Sequence, residues 1–185
     1  MKCWGYNYAG QLGDGTTTDR TTPVEVSGLT TATSVALGFR HSCALLTDGK
    51  IMCWGDNEDA TGDNFGQLGD GTTTSSSTVP VEVSNISTAT SIALGGFYSC
   101  AMLADGKVMC WGSNYGGNLG DGTTASTPSP VEVSGITTAT SIALGYSHSC
   151  ALLTDSTVKC WGYNYAGQLG DGTTTDRTTP VEVSG

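Results

Sequence analysis

The chain has 185 residues, with 7 lysines and arginines against 17 aspartates and glutamates, which gives a formal net charge of −10. Proteins that bind nucleic acid or anionic membrane surfaces need clustered basic residues, so this composition argues against both kinds of partner. Abundant glycine (27 residues) and threonine favour turns and strands over helices, and no apolar run approaches the ~20 residues of a membrane-spanning helix, so we predict an all-β fold without membrane insertion.

A repeat of about 50 residues organises the chain, because the triplet Cys-Trp-Gly begins at residues 3, 53, 110 and 160. Repeats of this length are typical of propellers and stacked arrays. The landmarks divide the chain into a half repeat at 1–28 and full repeats at 29–84, 85–134 and 135–185. The first full repeat is seven residues longer than the others, and we expect the extra residues, mostly within 56–65, to form a loop.

Each repeat contains four short strand candidates. In the first full repeat three of them lie at 33–37, 42–46 and 51–54, and the half repeat shows the fourth type at 23–26, where proline suits the start of a strand. Four antiparallel strands per repeat make a propeller blade. The predicted fold is therefore about three and a half antiparallel four-stranded blades, forming a partial or open propeller or array.

The second and third strands of a repeat can be aligned from their turn. A three-residue connection, Thr47-Asp48-Gly49, places glycine where such a hairpin needs a left-handed residue. The resulting register sets Cys43 opposite Cys53 as a non-hydrogen-bonded pair, with Cα atoms about 4.5 Å apart, which a disulfide can span. The same ten-residue spacing occurs in every full repeat, and we predict the disulfides Cys43–Cys53, Cys100–Cys110 and Cys150–Cys160. Buried free thiols are the alternative, and Cys3 is predicted to be unpaired or to bond another chain.

Both faces of this hairpin are apolar. In the predicted register, Cys43 and Ile51 lie on one face, whereas Ala44 and Trp54 lie on the other. A sheet that is apolar on both faces must be covered on both, which is the situation of a blade between two neighbours.

Several motifs together resemble the regulator of chromosome condensation repeat family. They are Gly-Gln-Leu-Gly-Asp-Gly-Thr-Thr, Pro-Val-x-Val, Ala-Leu-Gly-x-x-His-Ser-Cys-Ala-Leu-Leu-x-Asp-Gly and Cys-Trp-Gly-x-Asn, and they cover essentially the whole chain. The resemblance implies β-propellers that serve as interaction platforms, and the paired cysteines resemble the bacterial extracellular members. The repeats are too few to close a ring of the family's usual size. The basic tail and the exchange wedge of the nuclear member have no counterpart, so nucleotide exchange is not implied.

The two ends of the chain repeat each other, since residues 2–28 and 159–185 are identical. We interpret this identity as the mark of a fragment of a longer array. The alternative is a subunit that joins end to end, because the half repeat leaves a strand edge open and contacts that fail to close make filaments.

Two similar positions are candidates for metal binding. His41 precedes Cys43, and His148 precedes Cys150, each by two residues, but Tyr98 replaces histidine in the middle repeat while both of its cysteines remain. The ten-residue cysteine spacing suits a hairpin disulfide better than a zinc site, so we predict no metal here.

The insertion is rich in acidic side chains and oxygen donors. Its candidate residues are Asp56, Glu58, Asp59, Asp63 and Asn64. Calcium takes such ligands, but their spacing does not match an EF-hand loop, so we expect a solvated loop and keep calcium as the one candidate cofactor. This loop is also the first candidate for binding a partner.

No catalytic constellation is found in the sequence. The two histidines occupy the same repeat position, and no Ser/His/Asp or Cys/His set is spaced independently of the repeat, so we predict that the chain is not an enzyme. The predicted function is an extracellular or cell-surface platform that binds a protein or a surface polymer. The alternative is a structural subunit of an extracellular filament, in which the partner is the chain itself, joined end to end.

Overall fold

The chain forms an all-β structure. The computed structural model describes residues 1–58, 63 and 65–184, and within these the chain forms fourteen strands and one short 3₁₀ helix, Tyr115–Gly117, with no α-helix. The strands form one two-stranded and three four-stranded antiparallel sheets. The all-β fold of four-stranded blades is confirmed.

The sheets follow one another along the chain. The half blade consists of β1 (Lys2–Gly5) and β2 (Arg20–Glu25). Blade 1 consists of β3 (Ala32–Leu37), β4 (His41–Leu46), β5 (Ile51–Asp56) and β6 (Ser76–Glu82). Blade 2 consists of β7 (Ala89–Leu94), β8 (Tyr98–Leu103), β9 (Val108–Gly112) and β10 (Thr127–Glu132). Blade 3 consists of β11 (Ala139–Leu144), β12 (His148–Leu153), β13 (Val158–Gly162) and β14 (Arg177–Glu182).

The hairpin between β4 and β5 has the predicted register. Cys43 lies opposite Cys53 and Leu45 lies opposite Ile51. The turn closes through a bond from the Leu46 amide to the Lys50 carbonyl, and Gly49 takes a φ of +78°. Blade 3 has the same turn although Ser156 replaces the glycine, and this serine adopts a φ of +70°. The three-residue connection therefore dictates the turn even where the favoured residue is missing.

The core lies between the sheets, because each blade packs a face against the next one. One face of blade 1 carries Cys43 and Ile51, which pack with Ile92 and Trp111 of blade 2. The other face carries Ala44 and packs against the half blade and the segment that follows it. A third cluster joins blades 2 and 3 in the same way. Two-sided burial is therefore the reason for the apolar residues on both faces of the hairpin.

The outer strands differ from the sequence prediction. The fourth strand begins earlier than residues 23–26, at Arg20 in the half blade, so that Pro23 lies inside the strand and not at its start. The register shifts between Gly5–Arg20 and Cys3–Val24, and Pro23 falls within this irregularity. A proline is tolerated there because a residue in a bulge of an outermost strand needs no ladder hydrogen bond. Strand propensity alone missed the three residues before it.

Candidate functional site

Aromatic residues concentrate at one end of the blades. At this end the first strand of each sheet passes into the second and the third into the fourth, and we call it the aromatic end. All three phenylalanines and all seven tyrosines lie there, in connections or at the first residue of a strand: Tyr6, Tyr8, Phe39, Phe65, Phe97, Tyr98, Tyr115, Tyr146, Tyr163 and Tyr165. The turns at the opposite end carry glycine, aspartate, serine and threonine in place of aromatic rings.

The long connection between the third and fourth strands is built around a buried asparagine. In blade 3, Asn164 donates from Nδ2 to the carbonyl oxygens of Thr173 and Thr175, and its Oδ1 accepts from the Leu169 amide. The aspartate of the Gly-Asp-Gly-Thr motif, Asp171, accepts hydrogen bonds from Thr173. The loop is therefore closed by its own side chains, which hold the neighbouring tyrosines in place.

The sequence analysis did not identify the structural role of these asparagines. Asn7, Asn57, Asn114 and Asn164 are each almost fully buried at the same position of their repeats. The signal was present in the Cys-Trp-Gly-x-Asn motif, where the amide follows the tryptophan by three residues. The side chain of each asparagine bonds groups that lie five or more residues later in the chain, and the spacing of the repeat does not predict such bonds. The motif therefore indicates a repeat but not the role of its asparagine.

Tryptophans join each loop to the blade that follows. The indole Nε1 of Trp54 donates to the carbonyl of Gln11 at 2.8 Å, and Trp161 donates to the carbonyl of Asn118 at 3.0 Å. A glycine makes room for each ring: a Cβ at Gly120 would stand 2.6 Å from the Trp161 Nε1 atom, and its φ of +72° suits glycine. The long loops of the half blade and of blades 1 and 2 are therefore each fixed between two sheets.

The exposed rings contact one another across the blades. Phe39, Phe97 and Tyr146, one from each blade, meet edge to face with ring centroids 5.6–6.4 Å apart. Tyr163 lies between Tyr115 and Tyr165, at 5.5 and 6.5 Å. Such geometries are favourable for aromatic pairs, so these rings form two clusters of three.

A groove of about 590 Å³ opens at this end between blades 2 and 3. Its rings are Phe65, Phe97, Tyr98, Tyr115, Tyr146 and Tyr163. Its polar groups come from Ser113, Asn118, Ser147, His148 and Gln168. Apolar walls with a few convergent polar groups are the usual composition of a binding site. We call this the tyrosine groove.

A second groove, of about 520 Å³, lies beside the half blade. Trp4 and Cys3 contribute to one wall, and Val35 and Leu37 of β3 contribute to another. Among the described residues β1 pairs with β2 alone, so its second edge has no strand.

The aromatic end is also the more acidic one. Among the described residues, its connections and the strand ends beside them carry nine carboxylates and three arginines: Asp14, Asp19, Asp56, Glu58, Asp63, Asp70, Asp121, Asp171 and Asp176, with Arg20, Arg40 and Arg177. The opposite end carries seven carboxylates and four lysines: Glu25, Asp48, Glu82, Asp105, Glu132, Asp155 and Glu182, with Lys2, Lys50, Lys107 and Lys159. A hydrogen bond from Thr173, opposed by desolvation and assisted by Arg177, lowers the pKa of Asp171 to about 2, so this carboxylate stays ionised.

Polar residues bridge the blades beneath the rings. His41 of blade 1 lies with Nε2 3.0 Å from the Ser99 hydroxyl of blade 2. The equivalent Tyr98 donates its hydroxyl to the carbonyl of His148 at 2.6 Å. Burial lowers the pKa of His41 to about 4, so the imidazole is neutral near pH 7. These residues couple neighbouring blades.

The predicted cysteine pairs are bridged. Disulfides join Cys43 to Cys53, Cys100 to Cys110, and Cys150 to Cys160, with Cα–Cα distances of 4.1 Å, whereas Cys3 is a half-buried free thiol. Sulfur atoms in these bridges are not thiolate ligands for a metal. In the part of the chain that the structure describes, no three histidine, cysteine, aspartate or glutamate residues are grouped as a metal site.

The acidic insertion is only partly described. Asp56 is not an exposed loop residue, because it ends β5, is almost fully buried and lies 3.8 Å from the Arg40 guanidinium. Desolvation raises its pKa, in part against the hydrogen bond from the Glu58 amide. Glu58 is half-buried and Asp63 is exposed, while Asp59 and Asn64 lie outside the described residues. The structure therefore brings Asp56 together with Arg40 and with the backbone of Glu58.

In this chain, four-stranded antiparallel sheets follow one another in sequence, and each sheet packs its face against the next. This arrangement defines the β-propeller class. Two sequence profiles of the regulator of chromosome condensation (RCC1) repeat match the chain, one at residues 32–67, 89–118 and 139–168 and the other at 3–45 and 105–152. The chain belongs to the RCC1 repeat family.

Known proteins resemble the chain over part of their length. The ultraviolet-B receptor UVR8 of Arabidopsis thaliana is 31% identical over 113 residues, which cover 59% of this chain and 24% of the receptor. The structure of human WBSCR16 matches all of this chain and 48% of its own, with a TM-score of 0.82 and 26% identity. Yeast RCC1 (Prp20), bound to Kap60, matches with a TM-score of 0.83 at 24% identity, over 44% of its length. The chain thus spans about half or less of these relatives.

Among the described residues no helix has the length and apolar character needed to span a bilayer.

Proposed function

We propose that this chain is an extracellular or cell-surface interaction module that binds another macromolecule through the tyrosine groove at its aromatic end. The observation that carries the proposal is the collection of every phenylalanine and tyrosine at one end of the blades. Exposed aromatic clusters rimmed by polar groups are typical of protein interaction surfaces, whose buried centres are enriched in tyrosine and phenylalanine. Relatives with the same fold support a binding role, since one is named as a receptor and another is bound to a partner protein.

The disulfides support the proposed location. Three bridges close three hairpins, and glutathione keeps such thiols reduced in the cytosol of most organisms. Mass spectrometry of the natively isolated protein, alkylated without reductant, tests this. One alkylated cysteine, Cys3, is expected, and seven would overturn the extracellular assignment.

Capture from the extracellular fraction of the source cells tests the binding role. The wild-type chain is compared with Tyr115→Ala/Tyr163→Ala, which removes two rings of the tyrosine groove, and with Tyr8→Ala as the control. Tyr8 is 73% exposed and belongs to neither groove. Loss of a captured protein or polymer with the double variant alone supports the proposal, and equal capture by all three contradicts it.

End-to-end assembly is the second candidate function, and the open edge of β1 favours it. Trp4 is 62% exposed and Cys3 is a free thiol in the second groove. An unpaired edge offers backbone donors and acceptors to an incoming strand. On this proposal the repeats at 1–28, 29–84, 85–134 and 135–185 are the units of a continuous array.

Electron microscopy separates the two candidates. Continuous threads that disappear in Trp4→Ala/Cys3→Ser support a structural filament. Discrete particles at all concentrations contradict it and leave the binding role standing.

A further inference from the structure

We propose that the tyrosine groove binds a positively charged segment of a partner protein, with lysine or arginine side chains lying over its rings. This inference rests on the proposed function and names the chemistry of the partner.

The rings are suitably placed for cations. Tyr115 is 64% exposed, and Tyr163 stands 5.5 Å from it, centroid to centroid, at an angle of 37°. Tyr146 and Phe97 lie 5.9 Å apart and also line the groove. An ammonium or guanidinium group within about 6 Å of a ring centroid is attracted by the negative face of the ring. The chain already contains one such contact, since the Arg40 guanidinium lies 5.3 Å from the centre of the Phe39 ring.

The charge around the groove favours a partner of positive charge. Among the described residues, the groove lining contains no lysine, arginine, aspartate or glutamate, so an incoming cation meets no repulsion from them. Beyond the lining, the described connections of this end and the strand ends beside them carry three times as many carboxylates as arginines. Such a field attracts a basic segment over the distance of a Debye length and repels an acidic one. A polyanion is therefore excluded as the occupant, and a cationic peptide is favoured over a neutral ligand.

A hydrogen-bond acceptor without a partner also favours a positively charged ligand. Asn118 lines the groove, is 1% exposed, and donates from Nδ2 to the Ser113 carbonyl at 2.9 Å. Its Oδ1 atom has no hydrogen-bond partner among the described residues. A buried acceptor without a donor is costly, and the N–H groups of lysine or arginine are donors only. Asn118 therefore adds a buried acceptor that lacks a donor to the same lining that carries the ring faces.

Binding of defined probes tests this inference. Fluorescence anisotropy compares labelled hexa-arginine, hexalysine and hexaglutamate peptides, with chitohexaose as a neutral competitor, on the disulfide-bonded chain. We expect the two basic peptides to bind and hexaglutamate not to bind. We also expect weakening of several-fold between 50 and 200 mM salt, since screening reduces charge attraction.

Matched variants separate the groove from general acidity. Tyr115→Ala and Tyr163→Ala should each weaken hexa-arginine binding about fivefold, while Tyr8→Ala leaves it unchanged. Phenylalanine at either position should retain binding, because the ring face remains. Circular dichroism and the midpoint of urea unfolding verify that each variant is folded.

Three results would overturn the inference. They are equal affinity in wild type and both alanine variants, binding of hexaglutamate, and displacement of the basic peptides by chitohexaose at comparable concentrations. Capture of a native partner that depends on Tyr115 and Tyr163 while the basic probes fail to bind would leave the proposed function intact and reject the cationic partner. Failure of both experiments would reject both proposals.

Discussion

The half blade and the last part of blade 3 contain the same sequence, residues 2–28 and 159–185, in two different settings. The loops fold alike: the Asn7 amide donates to Asp19 at 2.8 Å, and the Asn164 amide donates to Asp176 at 2.7 Å. The strands before the loops differ. Trp161 is fully buried, whereas Trp4 is 62% exposed.

The comparison separates local from tertiary control. Side-chain hydrogen bonds within the loop are made in both copies, so they depend on the loop sequence alone. Burial of the tryptophan requires the loop of a preceding blade, whose Asn118 carbonyl accepts from Trp161. Bonding of the cysteine requires a second strand in the same sheet, which Cys160 has and Cys3 lacks.

The largest difference between the two copies is expected at the tryptophan. Trp161→Ala should lower the free energy of unfolding by about 3–5 kcal/mol, because it removes a buried ring and its hydrogen bond. Trp4→Ala should change it by less than about 0.5 kcal/mol, as exposed sites do. Urea unfolding followed by circular dichroism measures both, and equal losses would break the distinction.

The histidines sharpen the comparison, because β4 and β12 share the sequence His-Ser-Cys-Ala-Leu-Leu. His41 is buried under blade 2, and its pKa falls from 6.5 to about 4 through desolvation. The unfolded chain therefore binds a proton more readily below pH 6.5. As the pH is lowered from 6.5 to 4, the free energy of unfolding should decrease by about 3 kcal/mol. Below pH 4, His41 should cause no further decrease.

His41→Tyr provides the matched variant, since Tyr98 occupies this position in blade 2. The variant should lose the fall in stability between pH 6.5 and 4 measured by urea unfolding. His148, which is less buried, serves as the control, and His148→Gln should change the pH profile less. An unchanged profile in His41→Tyr would contradict the assignment.

The cysteines give the next effect in size. Cys150→Ser/Cys160→Ser should cost about 2–3 kcal/mol, because the bridge closes a short loop and restricts the unfolded chain. Cys3→Ser should leave stability unchanged, since Cys3 is a free thiol in this chain. Thermal unfolding under non-reducing conditions measures the difference, and a stable double variant would show that the bridge is dispensable.

The smallest difference is expected inside the loops. Asp14→Ala and Asp171→Ala should lower the urea midpoint slightly and by the same amount, because each aspartate accepts from the threonine two residues later and from an arginine. A larger loss in one copy would show that the neighbouring sheets, and not the loop itself, maintain the structure.

The sequence predicted most of the sheets for a physical reason. The turn Thr47-Asp48-Gly49 and alternating apolar residues determine register locally, which is why Cys43 and Cys53 were placed opposite each other. The fourth strand is longer than predicted because proline was expected at the start of a strand, whereas Arg20 and its neighbours extend the strand before Pro23. Their pairing comes from β1 across an irregular register.

The site was less readable than the fold. The acidic composition of the insertion predicts a solvated loop, yet Asp56 is buried beside Arg40. The aromatic residues are far apart in the sequence, and Tyr115 and Tyr163 meet in one groove because their connections lie at the same end of neighbouring sheets. The order of strands and connections determines this placement, and residue composition does not.

The prolines of the outer strands have a consequence for solubility. Pro23, Pro80, Pro130 and Pro180 lie inside the fourth strand of each sheet, next to a shift of register. A proline presents no amide hydrogen, and an irregular register interrupts the row of backbone groups along a free edge. Threonine- and valine-rich strands would otherwise recruit copies sideways into aggregates. Growth by added strands is thereby discouraged along the outer rim of every blade.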